Sequence, residues 1–296
     1  MKLRSWQART GVIMALPTIL GLVVFMFGPM IASLVISLTD WQIGASPTFV
    51  GVDNYASLIS GDPLFWKSLW VTLYYTLLTV PLVLLVAFVV AMLLNAKVRA
   101  KSLFRTVYYL PALVPIVANA VLWNWMFNPD FGLFNEILRT MNLPTSNWTF
   151  DERTVIPSLV LMSVWGFGNI MVIFLAGLQD VPEYLYEAIS LDGGNWWHAF
   201  RNITVPLMTP IIFYNLVTSL VGSIQTFDQA YIMTNGGPNN GSLFIVYYLY
   251  RTAFTNSMMG YASALAWVVF LIIGIFTLLL FRWSRSWVYY GIGGSQ

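Results

Sequence analysis

Few side chains in this sequence can make or break bonds. There is one histidine, His198, and no cysteine. A lone imidazole supplies neither a histidine-based metal centre nor the base of a Ser-His-Asp triad. The missing thiols exclude disulfides, thiolate metal sites and thiol nucleophiles. No Gly-Lys-Ser or Gly-Lys-Thr occurs, so no Walker A loop is present to cradle a nucleoside triphosphate. What remains is a chemistry of hydrogen bonds and aromatic faces. Asn119, Asn124, Asn169, Asn215 and Gln225 carry amides, and Trp123, Trp165 and Phe227 stand near them in the chain.

The segments that hold these groups are apolar. Of 296 residues, 58% are hydrophobic and 9% charged, too little charge for a water-facing surface, since soluble domains carry about a quarter. A bilayer core of about 30 Å needs roughly 20 helical residues per crossing. Six apolar stretches meet that length, at about 11–38, 68–94, 107–127, 154–178, 209–233 and 259–281. The sequence predicts an all-α integral membrane protein with one six-helix transmembrane domain over 1–296. The first stretch follows Lys2, Arg4 and Arg9 as a signal peptide would, but its apolar run is too long and no small-x-small site follows, so it reads as a retained anchor.

Charge sets the expected orientation. With the amino terminus in the cytoplasm, the inner segments hold ten Lys and Arg residues: Lys2, Arg4, Arg9, Lys97, Arg99, Lys101, Arg105, Arg201, Arg282 and Arg285. The outer segments hold four, Lys67, Arg139, Arg153 and Arg251. The positive-inside rule therefore predicts both termini in the cytoplasm. The net charge of +2 is too small and scattered to indicate a nucleic-acid partner.

Amides at membrane depth must face other helices or a wet cavity. Each alone could serve helix–helix hydrogen bonding; five on neighbouring spans fit a polar translocation path better. Asn215, Ser219, Gly222 and Thr226 follow i, i+3 and i+4 spacing, a small polar stripe on one face. Asp228 is the one acid close to the membrane interior, where charge costs roughly 2.5–3.5 kcal/mol at mid-span. Gly21 and Gly274 are expected to mark close helix packing.

The longest inner loop, 179–206, has its own punctuation. Pro182 suits a first helical turn, with Asp180 before it as a cap. Gly193-Gly194 should stop that helix, because glycine accepts the left-handed conformation. Asn195 can cap a second short helix through Trp196, Trp197, Phe200 and Ile203, after which Pro206 begins the return to the membrane. The aromatic residues are too apolar for a free surface, so the element is expected to dock onto something.

At this point the sequence resembles the permease subunits of ATP-binding-cassette importers. Their hallmark is Glu-Ala-Ala, three residues, glycine, then hydrophobic-x-x-Pro; here stand Glu187-Ala188-Ile189, Asp192-Gly193 and Ile203-Thr-Val-Pro206. Ile189 replaces the second alanine, and Gly194 the alanine that often follows the glycine. Further matches are Thr39-Asp40-Trp41, Phe49-Val-Gly-Val-Asp-Asn-Tyr55, Leu110-Pro111, Gly132, Asn135, Ala176-Gly177-Leu178 and Phe227-Asp-Gln-Ala-Tyr-Ile-Met-Thr-Asn-Gly-Gly-Pro238. The last resembles the maltose-transporter-like larger-partner permeases of the carbohydrate branch.

The resemblance implies a type I importer permease fold in the cytoplasmic (inner) membrane of a bacterium or archaeon. It implies that Glu187, Ala188, Asp192, Gly193, Trp196, Trp197, Phe200 and Pro206 form the ATPase-coupling loop. Expected partners are a second homologous permease, two ATP-binding-cassette ATPase subunits, an extracytoplasmic sugar-binding protein and the lipid bilayer. No cofactor is expected on this chain; ATP and Mg would be bound by the ATPase subunits. Sugars are held by hydrogen bonds to hydroxyls and by aromatic stacking, for which Trp123, Asn124, Trp165, Asn169, Asn215, Ser219, Gln225 and Asp228 are the candidates. The competing reading is an ion-coupled secondary carrier, which would want buried acids and repeated halves. A membrane-embedded enzyme would want clustered histidines or acids, which the sequence lacks.

Overall fold

The structure, a computed structural model, describes residues 2–96 and 100–289, with side chains from Thr10 onward. Lys97 and Arg99, which enter the charge count, lie outside the described residues, as do the side chains of Lys2, Arg4 and Arg9. Helices follow in the order α1 (Lys2–Leu22), α2 (Gly28–Ile36), α3 (Asp53–Ser60), α4 (Pro63–Asn95), α5 (Lys101–Tyr109), α6 (Ile116–Met126) and α7 (Leu133–Thr140). They continue with α8 (Val155–Trp165), α9 (Gly168–Gln179), α10 (Glu183–Leu191), α11 (Trp196–Ala199), α12 (Val205–Ile224), α13 (Ile245–Tyr250) and α14 (Met259–Ser284). Among the described residues the only strand-like pairings are two isolated bridges, Thr39 with Phe49 and Gln42 with Met258. Four helices are long and apolar enough to cross a bilayer, and up to six if each of two bent pairs counts as one crossing.

The chain divides into two compact units, 1–63 with 249–271, and 64–248 with 272–296. In the first, α1 and α2 are joined by a π turn over Val23–Phe27, in which Gly28 N–H reaches back to Val23 O. That wider turn falls just before Pro29, whose ring and missing N–H disturb ordinary helical bonding. Several residues that carry the family resemblance build the loop that follows. Asp40 Oδ1 accepts from Thr48 N–H at 3.1 Å and from its hydroxyl at 2.7 Å. These two bonds hold the exposed Asp40 carboxyl below the usual carboxylate range. Asn54 donates to Ser37 O and Thr39 O, and Tyr55 meets the Ser37 hydroxyl at 2.7 Å. Gly260 lies against this loop, its N–H 2.9 Å from Trp41 O, and a Cβ added there would collide with Thr39 O.

The second unit holds the larger core. Ala87, Ala91 and Leu94 of α4 meet Met171, Phe174, Leu175 and Leu178 of α9 and Met208 of α12. Small residues on α4 let the bulky ones of α9 approach, the packing device of helices in lipid. Close contact is set elsewhere than at the glycines the sequence suggests. A Cβ at Gly21 or Gly274 would meet nothing within 4 Å. A Cβ at Gly168 would instead lie 2.8 Å from Tyr108 O, 3.0 Å from Tyr109 Cα and 3.3 Å from Ala112 Cβ. Helix α9 thus crosses the end of α5 at a point where only glycine fits.

Three predicted rods are interrupted. The stretch read as one span over 107–127 turns by 94° between Leu113 and Ile116. Val114 is extended (ψ 126°) and Pro115 is the N-cap of α6; a residue before proline is driven out of the helical region, so the turn follows from the dipeptide. The stretch over 154–178 bends by 47° at Gly166–Phe167. The stretch placed at 209–233 is displaced: the helix starts at Trp196, ends at Ile224, and the chain is non-helical through Gln225–Phe227.

Gly168→Val is expected to destabilise the folded chain by about 1–3 kcal/mol through backbone crowding, whereas Gly274→Val has room and should leave stability no lower. Thermal unfolding of the two purified variants in one detergent checks the contrast; equal midpoints would show that the α5–α9 crossing tolerates a side chain.

Candidate functional site

The 179–206 loop forms a helix, a glycine turn and a second helix. Pro182 (ψ 127°) precedes α10 as its N-cap without a side-chain bond. Asp180 does not serve there. It closes α9 instead, its own N–H bonding to Ala176 O and Gly177 O, because the two-residue gap to Pro182 leaves it on the preceding helix.

The stop of α10 is a Schellman turn. Gly193 adopts φ +76°, its N–H bonds to Ser190 O at 3.2 Å, and Gly194 N–H reaches Ile189 O at 2.8 Å. Gly193 is required for its backbone angle, Gly194 for space: a Cβ there would lie 2.8 Å from Ile189 O and 3.0 Å from Ile189 Cγ1. The two departures from the family pattern, Ile189 and Gly194, therefore meet in one contact.

Asn195 is extended and caps α11, its Oδ1 accepting from His198 N–H at 3.1 Å. His198 completes the pair, its Nδ1 accepting from Asn195 N–H at 3.4 Å. The single histidine is thus part of a helix cap. Its spacing, three after Asn195, is that of a capping box with histidine where glutamate is usual, which made it hard to find.

Pro206 does not start a new segment. A π turn over Phe200–Thr204, with Val205 N–H bonded to Phe200 O, carries α11 into α12 without a break. The result is one helical run of 29 residues, Trp196–Ile224. Tyr186 and Thr204 join its base to α10 through a 3.0 Å hydroxyl contact.

Glu187, Ala188, Asp192, Gly193, Trp196 and Trp197 are exposed, while Phe200 and Pro206 are half-buried. Trp196 is 70% and Trp197 54% accessible, and both stack on Phe200 with ring centres 5.4 Å apart. With Leu191 at 88% and Tyr184 at 65% accessible, they form an exposed apolar patch across α10 and the start of the Trp196–Ile224 run.

The candidate path residues divide into three groups. Trp123 and Trp165 come together edge to face, 5.8 Å between ring centres, beside Phe127 and Phe134. They line a cavity of about 450 Å³ with Met126 and Phe167. Trp123 is buried, so its ring is largely committed to these neighbours, and Trp165 is the more open of the pair. Asn215 and Ser219 lie on α12. Asn215 is fully buried and donates to Ile211 O at 3.0 Å within its own helix. Gln225 and Asn169 are exposed and Asp228 is half-buried beyond the end of α12. Thr226 lies past that end, so the stripe drawn from Asn215 to Thr226 stops at Gly222.

Several polar atoms here are buried without a partner among the described residues: Asn119 Oδ1, Asn124 Oδ1, Asn215 Oδ1, Ser219 Oγ, Trp123 Nε1 and Gln229 Oε1. Burial of an unbonded group costs about 1–3 kcal/mol. Gln229 went unassigned in the sequence. Its Nε2 donates to Ser163 Oγ at 2.9 Å, and Tyr75 O–H lies 2.7 Å from the same oxygen. Tyr75 and Ser163 lie far apart in sequence, and only their pairing in space reveals this hub. Among the described residues no group of three His, Cys, Asp or Glu is placed to hold a metal ion.

Comparison with known proteins follows the same outline. The family described as binding-protein-dependent transport system inner membrane component matches residues 83–288. The chain is 41% identical over 278 residues to the probable ABC transporter permease protein YesP of Bacillus subtilis, covering 93% of this chain and 90% of that one. It is 32% identical to the arabinooligosaccharides transport system permease protein AraP of the same organism, covering 91% and 87%. Against the trehalose/maltose transport system permease protein MalF of Thermococcus litoralis it is 30% identical, covering 96% of each. A chain of the crystal structure of a bacterial alginate ABC transporter in complex with alginate pentasaccharide-bound periplasmic protein superposes with a TM-score of 0.84 at 22% identity, covering 98% and 97%. The all-helical fold is that of the type I ABC importer permeases. The docking-shaped loop, the interrupted polar spans and these matches together place the chain in the family of binding-protein-dependent transport system inner membrane components.

Proposed function

We propose that the chain is the membrane-spanning half of an ATP-driven sugar importer, with its loop 179–206 docked on a cytoplasmic ATPase. The observation that carries this is the continuity of the Trp196–Ile224 helix. Its base bears the exposed Trp196 and Trp197, and its far end leads to Gln225 and Asp228. At 1.5 Å per residue the run spans about 43 Å, so displacement of the docked end reaches the polar end without a joint.

The partners follow from what the chain lacks. It has no phosphate-binding loop, so ATP and Mg belong on two ATPase subunits that grip this loop and its counterpart. A second, homologous permease supplies the other wall of the path. A sugar-binding protein delivers substrate from outside, as the family description and the printed names of several relatives support. Both termini lie in the cytoplasm, by the excess of Lys and Arg in the segments on that side. ATP binding closes the ATPase pair, draws the two loops together and tips the spans; each state is selected by the contacts it alone makes.

Neutral sugars are the substrate class the path fits. The amide and hydroxyl oxygens of Asn124, Asn215 and Ser219, unpartnered among the described residues, accept hydroxyl protons, Trp165 offers a face beside the 450 Å³ cavity, and no Lys or Arg lies within the six apolar stretches of the sequence. Nothing observed favours an ion-coupled carrier, which would need a buried acid pair where only the half-buried Asp228 stands.

Three outcomes check this reading. Gly193→Asp should leave the chain inserted and assembled yet abolish energised uptake. Gly193→Ala, which meets only the positive φ and costs about 1 kcal/mol, should retain partial uptake; sugar accumulation with the binding protein present measures both. Gln225→Leu should raise the half-saturating sugar concentration by about tenfold, one hydrogen bond of roughly 1.4 kcal/mol, while ATPase activity without sugar stays unchanged. Gentle purification from native membranes should return a second permease and an ATPase in a 1:1:2 complex; a chain that transports alone without ATP would sink the proposal.

A further inference from the structure

A polar cavity lies in the larger unit, at the end of α4 opposite the 179–206 loop. It measures about 650 Å³ and is walled by Lys67, Trp70 and Tyr74 of α4 and by Asp151, Glu152 and Arg153 before α8. None of these residues belongs to the coupling loop or to the candidate path.

The charges balance and differ in commitment. Lys67 Nζ bonds to Glu152 Oε1 at 2.6 Å. This bond and the lysine's charge, with help from the Asn239 side chain, hold the Glu152 carboxyl below its ordinary range, so it stays ionised at neutral pH. Asp151 Oδ1 accepts from Arg153 N–H at 2.8 Å. The exposed Arg153 guanidinium has no carboxylate in salt-bridge reach among the described residues. The cavity presents two cations and two anions, which complements a ligand carrying both signs rather than a simple anion or cation.

The helix face below the cavity is apolar and open. From Lys67 it continues through Trp70, Tyr74, Leu77, Pro81 and Leu85, spaced three or four residues apart and therefore in one line. Trp70 is 65%, Leu77 70% and Leu85 60% accessible. Tyr74 to Leu85 covers about 16 Å at 1.5 Å per residue, close to half of a bilayer core of about 30 Å. Trp70 and Tyr74 stand at the head of this track, where aromatic residues mark the membrane–water boundary.

We infer that this cavity and the α4 track below it hold one zwitterionic phospholipid of the outer leaflet, with a primary ammonium in its head group. Its phosphate meets Arg153 and Lys67, its ammonium donates to the carboxylates of Asp151 and Glu152 beside the Trp70 ring, and one acyl chain lies along Leu77, Pro81 and Leu85. The inference uses the chain's membrane-spanning character and the orientation proposed from its Lys and Arg residues, but not its substrate, so it stands or falls separately from the sugar-import reading.

Native mass spectrometry of the full-length chain in detergent, titrated with dioleoylphosphatidylethanolamine, tests it. The wild type should retain one such lipid in preference to dioleoylphosphatidylcholine, whose methylated ammonium has no N–H to donate. Arg153→Gln and, independently, Trp70→Ala should each lower retention about fivefold, the loss expected of one charge-assisted or cation–π contact; a thermal midpoint equal to wild type confirms folding of each. Equal retention by wild type and both variants, or no preference between the two lipids, overturns the assignment. So does a photo-crosslinker at position 70 that captures another protein chain in native membranes, because this face would then be a subunit interface.

Discussion

A peptide group inside a bilayer has no water to bond with, so every break in a helix must be repaired by the protein. This chain contains three such breaks within its apolar stretches, at Val114–Pro115, at Gly166–Phe167 and over Gln225–Phe227. The polar groups gather around them. Gly166 N–H is taken by Ser163 O, and the Ser163 hydroxyl in turn receives Gln229 from beyond the third break and faces Tyr75 of α4. Asn119 and Asn124 follow the first break on α6, with buried oxygens that nothing among the described residues satisfies. Interruptions that would be liabilities in a purely structural bundle are here the places where polar atoms are presented.

The 179–206 loop meets a different constraint: the coupling role proposed for it requires that it be rigid enough to transmit displacement and apolar enough to dock. Rigidity comes from local bonds: the Schellman turn at Gly193-Gly194, the Asn195–His198 cap, the Tyr186–Thr204 contact and the π turn that carries α11 through Pro206 into α12. Docking capacity comes from Trp196, Trp197 and Leu191, left open to solvent. Ile189 and Gly194 show how the turn tolerates its own variation, since the branched side chain at 189 occupies the space that a methyl group at 194 would need.

Much of this was legible in the sequence because it depends on short-range rules. Helix stops at Gly193, the cap at Asn195 and the apolar lengths all follow from residue type and spacing. The bend at Val114–Pro115 also lay in the dipeptide, although hydropathy alone drew a straight rod across it. Other expectations failed where the decisive neighbour is distant in sequence. Gly21 and Gly274 fit the pattern of packing glycines, yet the backbone approaches are made by others, Gly168 at Tyr108 and Tyr109 and Gly260 at Thr39. Asp180 reads as a cap for α10 and instead closes α9.

The sequence alone determined that the chain spans a membrane, that it contains no Walker A sequence and no cysteine, and that its 179–206 segment is a helix–glycine–helix. Each of these rests on composition or on contacts within a few residues. Only the tertiary structure decided which polar groups act together. The pairing of Tyr75 with Ser163 and Gln229, the contact of Trp123 with Trp165, and the four-charge cavity at Lys67, Asp151, Glu152 and Arg153 join residues that lie tens of positions apart. No period or motif encodes such meetings, because they are set by where packed helices cross rather than by where they begin and end.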